Sequence, residues 1–254
     1  MTSRVSAVVL VIVGLVATAA GLGLRVFMHD DEDGHHDGLT PTFAMSSTSG
    51  ADELLVSQDG GGPTISVSIE RAGQPITDFD DVHDAPMHVY AASTDLDRFI
   101  HLDPAIGADG SSEAFTLGSD GAHRVVTQSA PSGGPDLLEL GADVTVTGAP
   151  DRAEQNITDD DRWTEGDLTV TRQGFDFVLS RPFDGDDYHG DPALLTLFRG
   201  DDMAFSHGHA ALVEPDRFRF ELALPGRGEY LAALQFLATP DASEPTTALF
   251  RFTL

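Results

Sequence analysis

The chain of 254 residues contains no cysteine and no lysine. Without cysteine it can form no disulfide, thiolate metal site, cysteine nucleophile or lipid-modified cysteine. Its 14 basic residues are all arginine, against 42 Asp and Glu, and the formal net charge is −28. Nucleic acid is therefore not an expected partner, because a polyanion would be repelled.

Two explanations fit so acidic a composition. A carboxylate-rich, lysine-poor surface is typical of proteins that work in high salt, where self-repulsion is screened, and it would indicate a halophilic source. The alternative is a surface that captures cations. The charge is spread along the whole chain rather than concentrated in one segment, which favours the first explanation.

Short signatures of common enzymes are also missing from the sequence. There is no G-x-S-x-G, no H-E-x-x-H, no phosphate-binding P-loop and no G-x-G-x-x-G before a helix. Carboxylate pairs occur throughout, so none of them singles out a catalytic acid and base. The sequence predicts that the protein is not an enzyme.

The N-terminus carries the longest apolar run, Val5 to Leu24, with no charged residue. About 20 apolar residues cross a bilayer as a helix. We predict an N-terminal transmembrane anchor over residues 1–28 and a single-pass protein of the cell membrane, with the bulk of the chain on the extracytoplasmic side. A cleaved signal peptide is the alternative, because Ala17-Thr18-Ala19 has the form of a cleavage site.

Residues 29–62 read as an acidic flexible linker, rich in Asp, Gly, Ser and Thr. Three histidines, His29, His35 and His36, lie among its first carboxylates. Such a tract can bind divalent metals weakly, so these are weaker metal candidates, although a solvated acidic stalk explains them equally simply.

An internal repeat organises the rest of the chain. Residues Val82–Pro104 align without a gap with Tyr188–Ala210, at an offset of 106 residues. Five pairs are identical, namely His83/His189, Pro86/Pro192, Asp95/Asp201, Phe99/Phe205 and His101/His207. A repeat of this length indicates two homologous domains rather than a solenoid, whose periods are roughly 20–50 residues.

Each copy has segments of alternating polar and apolar residues, such as Thr64–Glu70 and Asp167–Thr171. Alternation between Gly, Pro, Asp and Ser turns is typical of antiparallel β-strands. The sequence thus predicts an all-β fold with two tandem Ig-like antiparallel β-sandwich domains, residues 63–148 (the first copy) and 163–254 (the second copy). Residues 149–162 are the expected linker between them, and Asn156 within it is a candidate glycosylation site.

The order of these motifs resembles a known family. A Gly-x-Pro turn (Gly73–Pro75), an H-x-x-P-x-H segment (His83–His88), Asp95–Phe99 and then His101–Pro104 are similar to exported Ig-like or cupredoxin-like modules of the YtkA-like and FixH-like type. That resemblance, which covers about Thr64 to the C-terminus, implies a β-sandwich and sometimes an association with heavy metals.

The histidines of the repeat are the main candidate site. Near the end of each copy two metal-ligating side chains stand at i and i+2, and on a strand such residues share a face. The predicted ligand sets, one for each copy, are His83, His101 and Asp103 in the first and His189, His207 and His209 in the second. His88 is a weaker candidate. Imidazole-rich sites without thiolates suit copper or zinc, whereas histidines that only hold turn backbones are the alternative.

The sequence therefore leads to two hypotheses of function. The first is a membrane-anchored extracytoplasmic protein that binds a divalent transition metal, copper or zinc, through the repeated histidines. The second is a non-catalytic structural or protein-interaction module of the cell envelope, with another envelope protein as its partner.

Overall fold

The computed structural model describes residues 43–58, 60–150 and 153–254. Every regular element within these residues is a strand, which confirms the all-β prediction. The alternation that predicted a strand over Thr64–Glu70 forms β3 (Thr64–Arg71), in which Ile65, Val67 and Ile69 are buried. Because successive side chains of a strand point to opposite faces, these three residues enter one core.

The first half of the described chain builds two packed antiparallel sheets. Its strands are β1 (Thr48–Ser49), β2 (Asp52–Gln58), β3, β4 (Gln74–Pro75), β5 (Phe79–Asp80), β6 (Met87–Ser93), β7 (Phe99–Leu102), β8 (Phe115–Thr116), β9 (Gly121–Pro131) and β10 (Leu138–Val146). One sheet has the order β1-β2-β3-β4 with β8 beside β3, and the other has the order β10-β9-β6-β7 with β5 beside β9. Aliphatic side chains such as Val67, Val89 and Val125 fill the space between them.

The second half forms one folded sheet. Its strands are β11 (Ile157–Thr158), β12 (Arg162–Glu165), β13 (Leu168–Gln173), β14 (Asp176–Leu179), β15 (Leu194–Arg199), β16 (Phe205–Glu214), β17 (Arg217–Phe220), β18 (Glu229–Phe236) and β19 (Thr246–Thr253). The order is β11-β19-β18-β15-β16-β17-β14-β13-β12. Strand β16 pairs with β15 along its first half and with β17 along its second, so it joins two layers. The core between the layers is aromatic and includes Trp163, Phe177 and Phe236.

The expected linkers contain structure where the chain is described. Strand β2 lies within residues 29–62 and pairs along its whole length with β3. Its Leu54 is buried in the first core, which explains why this short apolar segment is ordered. Within residues 149–162, β11 adds to the edge of the second sheet by parallel pairing with β19. The flexible-linker expectation is therefore wrong for Asp52–Gln58.

The expected transmembrane anchor, Val5 to Leu24, lies outside the described residues, as do His29, His35 and His36. In the part of the chain that is described, no helix has the length and apolarity needed to cross a membrane.

A third core packs the two copies against each other. The outer face of the β10-β9-β6-β7 sheet contributes Tyr90, Ala92, Phe99 and Val126. The facing sheet of the second copy contributes Phe198, Met203, Phe205, Leu231 and other buried residues. The ring centroids of Tyr90 and Phe205 are 5.1 Å apart. Strand β6 is consequently buried on both faces. At one end of this contact, the polar residue His88 of the first copy faces the second copy.

Candidate metal centre

Strands β6 and β7 place two residues that could bind a metal opposite each other. Val89 pairs with Leu102, so the next position along brings His88 across from Asp103. Met87 and Val89 enter the first core, whereas the alternate residues, His88 and Tyr90, face the second copy. His101 stacks on Tyr90 with 4.3 Å between ring centroids. The hairpin thus gathers His88, His101 and Asp103 on the face that meets the second copy.

Two tight turns carry the histidines that begin each repeat. His83 and Asp84 have φ values of 49° and 70°, and His189 and Gly190 have 57° and 85°. A single bridge closes each turn, between Val82 and Ala85 or between Tyr188 and Asp191. Left-handed conformations at both central residues are typical of a type I′ turn, and they are unfavourable for residues other than glycine. The same backbone conformation recurs in both copies, so the two turns place His83 and His189 in equivalent positions.

The turn of the second copy reaches into the first copy. His189 Nδ1 lies 2.9 Å from the His83 carbonyl oxygen, which can only accept a hydrogen bond. Nδ1 therefore carries a proton, and Nε2 is the ring nitrogen left to face Asp103. This Nε2 is buried, has no hydrogen-bond partner among the described residues, and lies 3.2 Å from Asp103 Oδ2. His189 consequently joins the group formed by His88, His101 and Asp103.

His88 and His101 are oriented in the same way. His88 Nε2 donates to the Val82 carbonyl oxygen at 2.7 Å, and His101 Nδ1 donates to Gln235 Oε1 at 2.9 Å. The Tyr188 hydroxyl is 3.3 Å from the same nitrogen of His101. Each imidazole thus uses one ring nitrogen on an acceptor outside the group and turns the other toward Asp103. Such outer hydrogen bonds fix the tautomer of histidines that ligate metals.

The inward atoms are close enough to share one cation. His88 Nδ1 is 2.6 Å from Asp103 Oδ1, and His101 Nε2 is 3.4 Å from both His88 Nδ1 and Asp103 Oδ1. One ligand atom from each of these four residues lies within 4.8 Å of the other three, so the group could hold a metal ion. We call this set, His88, His101, Asp103 and His189, the first cluster. A ring lone pair and a carboxylate oxygen at 2.6 Å repel each other unless a proton or metal lies between them.

Electrostatics favour an ionised carboxylate at Asp103. Burial alone would raise the pKa of Asp103, but the three surrounding imidazoles outweigh it and hold this pKa well below its usual range. Burial lowers the pKa of His101. For His189, burial acts in the same direction, yet the Asp103 carboxylate prevails and raises the pKa. Asp103 thus stays charged, and the lowered pKa of His101 favours the neutral imidazole, which is the form that can bind a metal.

A second group lies beside the first. His83, Asp191 and His209 each offer one ligand atom within 4.8 Å of the other two. His209 Nδ1 is 2.5 Å from Asp191 Oδ2, and the rings of His83 and His209 are 4.3 Å apart. We call these three residues the second cluster. His207 belongs to neither: its Nδ1 is 3.2 Å from Thr196 Oγ1, and burial holds its pKa well below the ordinary value.

The expectation that each copy builds its own site is wrong, because the turn histidines are exchanged between the copies. His189 lies with His101 and Asp103 of the first copy, and His83 lies with His209 of the second. His88, a weaker candidate by sequence, lies in the first cluster within 2.6 Å of Asp103 Oδ1. Asn156 is exposed, and its side chain donates to the Thr164 carbonyl oxygen.

Sequence reasoning missed Asp191 and Gln235. Asp191 follows the turn histidine by two residues, but the first copy has Ala85 at the matching position, so the repeat gave no signal. Gln235 matches Gln128 in the repeat, and that match was the available signal. However, Gln128 binds Glu139 rather than a histidine.

No protein-family model matches this chain, and no curated protein is recognisably similar to it in sequence. The interpretation of the clusters therefore depends on their own geometry.

Proposed function

We propose that the protein binds a divalent transition metal, zinc or copper, at the first cluster. One observation carries the proposal: three imidazoles donate outward to Val82, Gln235 and His83, and all three inward nitrogens converge on the Asp103 carboxylate. A metal-binding histidine usually donates one ring N–H to a neighbouring acceptor, which leaves its other ring nitrogen available to the metal. All three histidines of the first cluster have this arrangement.

The spacing and chemistry of the ligands favour zinc as the first ion to test. Ligands about 2.0–2.1 Å from a tetrahedral zinc are roughly 3.3–3.4 Å apart. Three separations are close to this value: His101 Nε2 is 3.4 Å from both His88 Nδ1 and Asp103 Oδ1, and His189 Nε2 is 3.2 Å from the other carboxylate oxygen, Asp103 Oδ2. The fourth, between His88 and Asp103, has the length of a hydrogen bond and would open by less than an ångström. Copper(II) accepts the same nitrogen and oxygen donors but prefers a flatter arrangement.

The metal would also join the two copies. Three ligands come from the first copy and one, His189, from the second, so an ion bound by all four links both sandwiches. Binding energy of this kind adds to folding stability, because the unfolded chain has no preformed site. Metal binding and the packing of the copies would then be a single thermodynamic property.

We further propose that this is an envelope protein with two tandem Ig-like domains outside the membrane. The apolar run Val5 to Leu24 supports an anchor or export signal, and the charge of −28 supports a surface exposed to high salt. The motif order that resembles YtkA-like and FixH-like modules supports the Ig-like description and agrees with a metal-related role.

A structural module of the cell envelope is the second candidate, and one contact favours it. A proton instead of a metal between His88 and Asp103 would give an ion pair at 2.6 Å with the same outward bonds. The cluster would then be an ionic contact that holds the copies together. The two candidates differ in whether a transition metal adds stability to the protein.

The deciding experiment is thermal unfolding of the full chain, freed of metal by a chelator and then supplied with Zn(II) or Cu(II). At a free metal concentration of 100 times Kd, stabilisation is about 2.7 kcal/mol, which corresponds to a Tm increase of roughly 5–10 °C for a chain of this size. Asp103→Asn should remove most of the increase, because the amide lacks the charge that balances the ion in the first cluster.

Two controls separate the site from the acidic surface. Ca(II) prefers oxygen ligands and should not reproduce the increase. His123→Gln changes another buried histidine of the first copy that lies in neither cluster, and it should retain the full metal effect. No increase with either transition metal, or an equal increase in Asp103→Asn, would leave the structural module as the better description.

A further inference from the structure

The second cluster is related to the first by the internal repeat. At the offset of 106 residues, His189 corresponds to His83, and Asp103 corresponds to His209. These corresponding residues take part in opposite clusters: the turn histidine of each copy meets the i+2 residue of the other. The exchange is reciprocal, so the contact between the copies creates two clusters and not one.

The two positions have diverged at the remaining ligands. His88 corresponds to Leu194, which cannot ligate, and Ala85 corresponds to Asp191, which can. His101 corresponds to His207, which turns to Thr196 instead. The second position therefore keeps three ligands, two imidazoles and one carboxylate, while the first has four.

Exposure differs in the same direction. The imidazoles of His88, His101 and His189 are 1%, 1% and 11% exposed, whereas that of His209 is 27% exposed. The carboxylates Asp103 and Asp191 are equally exposed, at 33% each. Zinc sites with four protein ligands are closed, whereas those with three leave a position for water or another ligand. The second cluster has the composition and the access of the open kind.

His83 connects the two clusters. Its side chain belongs to the second cluster, and its carbonyl oxygen accepts the hydrogen bond that orients His189 in the first. The turn that carries His83 is held in a left-handed conformation, so both groups are fixed by the same short segment. Movement of this turn would therefore change the geometry of both clusters.

We propose that His83, Asp191 and His209 form a second, exchangeable site for a divalent transition metal, which fills after the first cluster. This inference deepens the proposed function, since both sites use the same contact between the copies. The second ion binds more weakly because it has fewer protein ligands, is more exposed to water, and is repelled by the ion already present. Its open position accepts water or a small donor ligand.

The test is calorimetric titration of Zn(II) into the metal-free full chain and two variants. The wild type should show two events, the second at least about tenfold weaker than the first. Asp191→Asn should remove the weaker event and keep the tight one. Asp103→Asn should do the reverse, so that a failure of the second site is distinguishable from a failure of the proposed function.

Asp187→Asn is the matched control, because it removes the same charge from an exposed residue four positions before Asp191 and should leave both events. A single event in the wild type, or two unchanged events in Asp191→Asn, would overturn the second site. A D191N-sensitive event without any D103N-sensitive one would support the second site and overturn the first. Circular dichroism of each metal-free variant should match the wild type, and His209→Gln provides an independent variant if Asp191→Asn unfolds.

Discussion

The two clusters are built from corresponding parts of one repeat, yet they differ in closure. The first has a buried histidine, His88, on a strand that is buried on both faces. The second has Leu194 at the corresponding position, and it contains a carboxylate from the turn, Asp191, that the first lacks. The comparison shows that a repeat conserves the positions from which side chains reach a site, while single substitutions decide how many ligands arrive.

The two copies have the same backbone conformation in the turn, although their clusters contain different sets of side chains. Both turn histidines have positive φ values, and both turns are closed by the same bridge. The residue after the histidine differs, being Asp84 in one copy and Gly190 in the other. The turn geometry is therefore the common element, and the closure of each site depends on the strands behind it.

The largest expected effect comes from making the first copy resemble the second. His88→Leu removes one ligand and the outward bond to Val82, so Zn(II) affinity at the tight site should fall by at least about 100-fold, beyond the loss typical of outer-shell partners. The Val82 carbonyl oxygen would keep the hydrogen bond from the Ala85 N–H, and loss of the histidine bond should cost about 0.5–1.5 kcal/mol of unfolding free energy. Competition with a chelator measures the affinity, and urea unfolding of the metal-free protein measures the stability.

His123→Leu is the matched control for this variant, since it makes the same change at another buried histidine and should leave the Zn(II) affinity unchanged. Zinc binding by His88→Leu as tight as that of the wild type would contradict the expected difference between the two clusters. In that case the two clusters would be equivalent, and the Leu194 position would not explain their difference.

A smaller effect should appear in the pH dependence of the metal-free protein. His207 is buried near His209, His101, His88 and His83, and both burial and these rings lower its pKa. Below about pH 6.5 the unfolded chain binds a proton that the folded chain does not, so His207 destabilises the protein as pH falls. His207→Gln should reduce the stability lost between pH 7.5 and 5.5 by about 1.4 kcal/mol in urea unfolding.

His189 should behave with the opposite sign. Its pKa is raised, so its contribution is present below the unfolded value of about 6.5 and is lost as pH rises through the folded value. His189→Gln should therefore remove a loss of stability on the alkaline side and leave the acid side unchanged. Equal pH profiles for both variants would show that the two histidines do not differ in solution.

Much of the fold was readable from the sequence because strand alternation is local. Thr64–Glu70 alternates, and the structure places Ile65, Val67 and Ile69 in one core. The gapless repeat likewise identified His83 and His189, and His101 and His207, as related positions. Local patterns specify which residues share a face, and these predictions required nothing more.

The grouping of the histidines could not be predicted in this way. It depends on how two sandwiches pack, and that contact joins residues about 100 positions apart, such as His83 and His189. Strand β6 was a further obstacle, because Met87–Ser93 is buried at every position and has no alternation to indicate where His88 faces. Asp191 had no counterpart in the first copy, so the repeat carried no information about it.

The smallest expected effect tests the turn itself. Gly190 has a φ of 85°, and an added methyl group would meet nothing within 4 Å, so Gly190→Ala changes only the backbone preference. It should cost about 1 kcal/mol of unfolding free energy and weaken Zn(II) binding, because relaxation of the turn displaces the His189 ring. Gly133→Ala has the same open surroundings and a φ of 72°, in a turn away from both clusters. It should lose similar stability and keep the Zn(II) affinity. If both variants bind zinc equally well, the strained turn supports folding alone, and the two clusters owe their difference entirely to the strands.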